Sequence, residues 1–181
     1  ALVALSRWGL PCYISAVVGD DAFGKTIVDS LREEGIDTGG LVTRIGHLSQ
    51  FAFIVTEPDM ARRTIFWQRP TGMPLQPDDL DLEVLLKSRA LHTDGIFTEA
   101  SIFACIRAKE AGIPVIVDAG TLRDGILDIA RLSDCFIASE TFSQAMAEDP
   151  VETCQILSEL GCSFVGVTLG TTGYIAMIDG R

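Results

Sequence analysis

Histidine, tyrosine and tryptophan are scarce in this chain, with two of each among 181 residues, and acidic residues outnumber basic ones by 25 to 14. The net charge of −11 and a pI near 4.5 argue against nucleic acid or an anionic membrane face as the main partner, while leaving room for a locally basic phosphate pocket. His47 and His92 stand alone, without a metal-ligand constellation around them, so each reads as a solvated or hydrogen-bonded side chain. Cys12, Cys105, Cys135, Cys154 and Cys162 form no C-x-x-C pair, and an odd number closes no disulfide framework. They are expected to be reduced core thiols of a cytoplasmic protein. No run is long and apolar enough to span a bilayer, no signal peptide opens the chain, and no fixed-period repeat or low-complexity tract interrupts it.

What is present is apolar residue in quantity. A hydrophobic content of 48% and a mean hydropathy of +0.32 exclude a disordered chain and predict one compact domain, residues 1–181, with a small appendage. Both ends read as cut: the chain begins inside an amphipathic helix without a cap and stops at Asp179-Gly180-Arg181, in a hairpin turn without its return strand.

The periodicity alternates. Leu2, Leu5 and Trp8 form a core-facing helical stripe ended by Gly9 and Pro11, and Tyr13 to Val18 reads as a strand. Phe23, Ile27 and Leu31 mark the next helix, capped by Asp20 or Asp21 and closed by Gly35. The texture then changes to two β-rich runs, Gln50 to Thr56 and Arg63 to Trp67. They predict a hairpin over about residues 46–69 that projects as a lid or an interface, with Arg69 just beyond its second strand. Asp78-Asp79 opens a helix buried through Leu82, Leu85 and Leu86. From Ala90 onward strands and helices alternate, the last helix starting at Asp149-Pro150 and ending at Gly161. The pattern specifies an α/β fold, a mostly parallel, doubly wound sheet with right-handed crossovers.

Ligands collect at the carboxyl edge of such a sheet. Each strand here empties into small or polar residues at that edge: Asp94-Gly95, Asp118-Ala119-Gly120-Thr121, Ser139-Glu140-Thr141 and Thr168-Leu169-Gly170. Singly, each reads as a helix cap or a turn former. Together, three carboxylates and a Gly-Thr turn suit a polyol hydroxyl, a divalent cation and a phosphate chain. The turn from Gly170 to Gly173 lacks the lysine of a P-loop and leads into another strand, Tyr174 to Ile178, so a plain glycine-rich hairpin stands beside the phosphate reading.

The order and spacing of several segments resemble the ribokinase-like (PfkB) carbohydrate kinases across nearly the whole chain. They are Gly9 and Gly19, Val-Gly-Asp-Asp-Ala-Phe-Gly (18–24), Glu-Glu-Gly-Ile-Asp-Thr (33–38), Arg-Arg-Thr-Ile-Phe (62–66), Val-Asp-Ala-Gly-Thr (117–121), Ile-Ala-Ser-Glu (137–140) and Val-Thr-Leu-Gly (167–170). The resemblance implies transfer of the ATP γ-phosphate to a sugar or sugar-acid hydroxyl, with Mg²⁺, and with the sugar under the hairpin as lid; the hairpin's projection, read from its own texture, also makes it a candidate homodimer interface. Arg69, from its place just past Phe66-Trp67-Gln68, reads either as a forked reader of acid sugars or as a solvated arginine at a strand end. The resemblance implies Asp94 as a sugar contact, Thr168 and Gly170 as the nucleotide-phosphate turn, and Asp118 and Glu140 as the metal region. It departs from the family at Phe142, where the last Glu of an Asn-x-x-Glu motif is expected. The family's Gly-Ala-Gly-Asp segment, which brings the anion hole and the base, is expected beyond Arg181, and its first Gly-Gly and Asn before Ala1. No catalytic residue is therefore assigned within this chain.

Overall fold

A computed structural model of the chain describes residues 1–57 and 62–181, which form two compact units, Ala1–Leu75 and Gln76–Arg181.

In the first unit, β1 (Tyr13–Gly19) lies parallel to β2 (Asp37–Arg44), connected through α2 (Ala22–Glu33). Helix α2 begins where the Asp21 carboxylate accepts the Gly24 N–H (2.8 Å) and ends before Gly35, whose φ of +73° is left-handed. Among the described residues of this unit, Val17, Val18, Ile36 and Leu75 are the buried hydrophobics. The short α1 (Leu2–Arg7) precedes them and differs from its sequence reading: Leu2 and Leu5 are half-buried, but Trp8 is 78% exposed. A spacing of three falls about 60° short of a full turn each time, so by i+6 the side chain has rotated off the stripe. The hairpin forms as expected, β3 (Phe51–Glu57) antiparallel to β4 (Arg62–Gln68), with Phe51 opposite Gln68; its expected turn falls largely on residues 58–61, outside the described residues.

The second unit opens with a 3-10 turn, Pro77–Asp79, and the helix expected at Asp78-Asp79 begins later. It is α3 (Leu82–Lys87), capped by Asp81 through the Val84 N–H (3.1 Å). None of its residues is fully buried, Leu82, Val84 and Leu85 being half-buried, and Leu86 is exposed although it lies about 40° around the helix from Leu82, so that side of the short helix is only partly covered. Then follow β5 (Leu91–Thr93), α4 (Thr98–Glu110), β6 (Val115–Ala119), α5 (Ile126–Ala130), β7 (Cys135–Ser139), α6 (Glu140–Met146), α7 (Pro150–Glu159), β8 (Phe164–Thr168) and β9 (Tyr174–Ile178). The five strands lie in chain order, parallel from β5 to β8 with β9 antiparallel at the edge.

The core of this unit sits on one sheet face. Val115, Val117, Phe136, Val165 and Val167 meet Cys105 of α4, Ile126 and Ile129 of α5, Phe142 of α6 and Leu157 of α7. The amino edge is tied at Asp134. Its carboxylate accepts the Val115 N–H (2.8 Å), its own N–H donates to Val115 O (2.9 Å), and its carbonyl accepts from the Ser163 and Phe164 N–H groups (both 3.0 Å).

Among the described residues all five cysteines are free. Cys105, Cys154 and Cys162 are buried as expected, whereas Cys12 and Cys135 are half-buried, outside the full core. Burial pushes the Cys105 thiol up to about 12 and raises those of Cys154 and Cys162 as well.

Candidate functional site

Parallel pairing carries the carboxyl ends of β5 to β8 to one edge, and register sets their levels. Thr93 pairs with Val117, Asp118 with Ile137, Ala119 with Ala138, and Ser139 with Thr168. Neighbouring strands stand about 4.8 Å apart, so Asp94, Asp118, Glu140 and Thr168 share this edge. Side-chain alternation puts Asp118 and Thr168 on the sheet face opposite the core cluster.

Asp118 and Glu140 are exposed carboxylates without a hydrogen-bond or ion-pair partner among the described residues. Asp94 is exposed as well, but its Oδ1 accepts the Ile96 N–H (3.0 Å), closing an Asx turn that leads toward α4. Ser139 holds the edge together: its hydroxyl donates to Gly120 O (2.7 Å) and caps α6 by accepting the Phe142 N–H (3.1 Å). Phe142 is wholly buried, its ring 5.5 Å from that of Phe136. That position faces the core, where an ionised carboxylate would be costly.

After Thr168 the expected glycine-rich hairpin forms, with Thr168 opposite Tyr174 of β9, and residues Gly170–Thr172 in its loop make a 3-10 turn. The Thr172 N–H donates to Leu169 O and the Gly173 N–H to Gly170 O (both 3.2 Å). The N–H groups of Gly170 and Thr171 lie ahead of this pattern, and the opening amides of a helical turn are the ones left for an outside acceptor. Gly170 has φ +58°, and a Cβ there would meet no atom within 4 Å, so the backbone is open to close approach. Thr168 Oγ1 donates only a long bond, to Ala138 O at 3.4 Å.

Arg123, in the loop after Asp118, was not singled out by the sequence reading. Its Nη2 donates to Thr121 Oγ1 (3.0 Å), while its Nε is buried without a partner, so a cation stands on this carboxylate-bearing edge. The only sequence signal for it was its place five residues beyond a strand-end aspartate. Arg69 belongs to the other unit, where its guanidinium carbon lies 5.3 Å from the centre of the Trp67 ring, stacked as a cation on the indole. His47 Nδ1 lies 3.2 Å from Thr71 Oγ1 and His92 is exposed, and no three His, Cys, Asp or Glu among the described residues form a metal cage.

The family model described as pfkB family carbohydrate kinase matches residues 1–180. The chain belongs to this family. Fructokinase-1 of Zea mays is 30% identical over 121 residues, covering 66% of this chain and 37% of that protein. The 2-dehydro-3-deoxygluconokinase of Thermoproteus tenax is 25% identical over 197 residues, covering 98% of this chain and 61% of that protein. An E. coli protein solved in complex with ATP and Mg²⁺ superposes with a TM-score of 0.82 at 20% identity, covering 99% of this chain and 63% of its own. At that identity the likeness speaks for the fold, which is ribokinase-like. The chain spans from about a third to three fifths of the length of the curated relatives compared. In this PfkB member, Phe142 is a core residue.

Proposed function

We propose that this PfkB chain belongs to a cytoplasmic ATP-dependent kinase that transfers the γ-phosphate to a hydroxyl of a sugar or sugar acid. The observation that carries the reading is the shared carboxyl edge of β5 to β8, with two free carboxylates at Asp118 and Glu140 beside an open-backbone turn at Gly170. Hard carboxylate oxygens suit Mg²⁺, which keeps several waters and takes the rest of its shell from phosphate, so two such groups fit without a cage. The metal would neutralise charge on the phosphates. Asp118 and Glu140 would order its waters, Gly170 and Thr168 would hold a phosphate, and Asp94 would accept from a sugar hydroxyl. Residues 1–181 would then act as one ribokinase-like domain with the hairpin, about 46–69, as its lid and homodimer contact. No catalytic base is assigned within the chain. The acid sugar acted on by the Thermoproteus relative makes an acidic substrate one of the arms to test, with Arg69 as its reader.

A second reading rests on Phe142: a domain of this fold that binds sugar or nucleotide without turnover would tolerate a core phenylalanine where the family's motif ends in a carboxylate. Assay of the full-length gene product with ATP, Mg²⁺ and a panel including fructose and 2-dehydro-3-deoxygluconate separates the two. Sugar-dependent ADP release is expected, and Asp118→Asn or Glu140→Gln should lower kcat by a factor that shrinks as Mg²⁺ rises. Saturable binding with no turnover would select the second reading.

A further inference from the structure

The two legs of the hairpin meet the rest of the first unit at a root that is tied twice. The Thr71 N–H donates to Leu48 O (3.0 Å) and the Leu48 N–H to Thr71 Oγ1 (2.8 Å), clamping the legs to each other. One residue on, Ser49 is only 1% exposed, and both its N–H (3.0 Å) and its hydroxyl (2.7 Å) donate to Asp21 at the start of α2. The same Asp21 caps α2 through Gly24, and Ser49 Oγ in turn accepts the Gly19 N–H (2.8 Å). Asp20 takes the Gly46 N–H (2.9 Å). The joint has no slack: a Cβ on Gly19 would stand 2.1 Å from His47 O, and one on Gly24 would stand 2.1 Å from Gly19 O and 2.7 Å from Ser49 Oγ. Past Ser49, every residue of β3 is exposed, and a ring stack of Phe51 on Phe23 (4.9 Å) continues the contact with α2.

A helix cap needs only one carboxylate oxygen and one amide near in sequence. Here two further bonds come from a residue 28 positions away at the foot of a projecting strand, and bonds to an ionised acceptor are the stronger kind. They hold the Asp21 carboxyl below the usual carboxylate range, the Ser49 hydroxyl being the largest cause.

We propose that Asp21 and Ser49 are positioning residues, whose contact fixes the direction in which the hairpin leaves β1 and α2 within the first unit and limits how widely it swings. Where the hairpin is the sugar lid, a step that rests on the function proposed above, this contact sets the fraction of molecules ready to take up sugar. It therefore acts on apparent affinity more than on the chemical step.

Ser49→Ala removes the hydroxyl but leaves the Asp21 cap on Gly24, so it separates hinge from cap. Hydrogen exchange on the 181-residue chain should show hairpin amides in 51–57 and 62–68 exchanging about five- to thirtyfold faster, as expected for loss of one or two kcal/mol of restraint. Exchange in α2 should hold. Asp21→Asn, which keeps an acceptor for Gly24 but loses one for Ser49, should move the hairpin in the same direction, and Ser49→Thr should return it toward the parent rate. Hairpin rates that stay at the parent value, or that rise together with those of α2, would overturn the proposal. Exchange of β6 to β8 amides identifies a variant that fails to fold, in which case Asp21→Asn decides. In the full-length protein, Ser49→Ala should raise the sugar KM about tenfold with kcat within about twofold. Faster hairpin exchange with an unchanged KM would leave the hinge standing and remove the lid.

Discussion

Strands β6 to β8 and strands β3 and β4 are written in the same apolar alphabet and end in opposite places. Val117, Phe136 and Val165 have no exposed surface, whereas Phe53 is 63% exposed, and Ile54, Ile65, Phe66 and Trp67 are exposed with it. The difference lies in the connections. Between β6 and β8 the chain spends its connections on α5, α6 and α7, which return to lie on one sheet face, and their side chains complete the core. Only residues 58–61 separate β3 from β4, too few to bring a covering element back. Strand hydrophobicity specifies a surface that wants a partner; connectivity decides whether the strand's own neighbours supply it.

The widest separation between the two regions should come from matched truncations. Phe136→Ala should destabilise the second unit by about 3–5 kcal/mol, the range for emptying a buried aromatic site. Phe53→Ala should change stability by no more than about 0.5 kcal/mol, as at exposed sites. Urea unfolding of both variants measures this, and comparable losses would show that the hairpin is covered in solution, by a second copy or another partner.

Next in size is a difference in pH response. In the first unit Asp21 and Glu34 are held low, by the Ser49 hydroxyl and the Arg7 guanidinium respectively. A depressed carboxylate contributes stability that is present above its unfolded value, about 4, and is lost as pH falls through the folded value. In the second unit the Cys105 thiol is raised to about 12, so its contribution is complete below the unfolded value of about 8.5 and is lost as pH climbs toward 12. Both tryptophans, Trp8 and Trp67, lie in the first unit, so their fluorescence reports it, while thiol labelling of Cys105 reports the second. Acid should move the fluorescence first and alkali the labelling first. If both probes respond on the same limb, the two regions do not titrate independently.

The smallest effect is expected at Arg69. Arg69→Lys keeps a cation near Trp67 but gives up the planar stack and the forked donor set. Stability should be nearly unchanged, and in the full-length protein KM should rise for acidic sugars and not for neutral ones. An equal rise for both would assign Arg69 to the indole alone.

Much of the second unit was legible in the sequence because its signals are local. Asp149-Pro150 starts α7 where read, Gly161 follows its end, and the strand ends at Asp118, Ser139 and Thr168 come to one edge because parallel pairing leaves them no other place. Phe23 and Leu86 were harder, since periodicity shows which residues share a face and not whether that face is covered, and Trp8 was harder because a spacing of three carries it off the stripe by i+6. The second duty of Asp21 was hidden for another reason: its cap on Gly24 is three residues away, but its bonds to Ser49 cross 28 residues. A capping signal is fully satisfied by the local bond, so nothing in the pattern asks for the distant one. Arg123 escaped in the same way, its unpartnered Nε being visible only once the loop is folded.

The tie at Asp134 bears on how the second unit is assembled during synthesis. The residue bridges Val115, 19 positions earlier, to Ser163 and Phe164, 29 and 30 positions later, and the strands it joins stand in chain order. Each strand from β6 to β8 thus finds its partner already made, so the sheet can lengthen one βα step at a time as the polypeptide emerges, closing only short loops. Asp134→Ala should slow refolding more than it speeds unfolding, which stopped-flow measurement of both arms would show; a change confined to the unfolding arm would mean that the edge is tied only after the sheet is built.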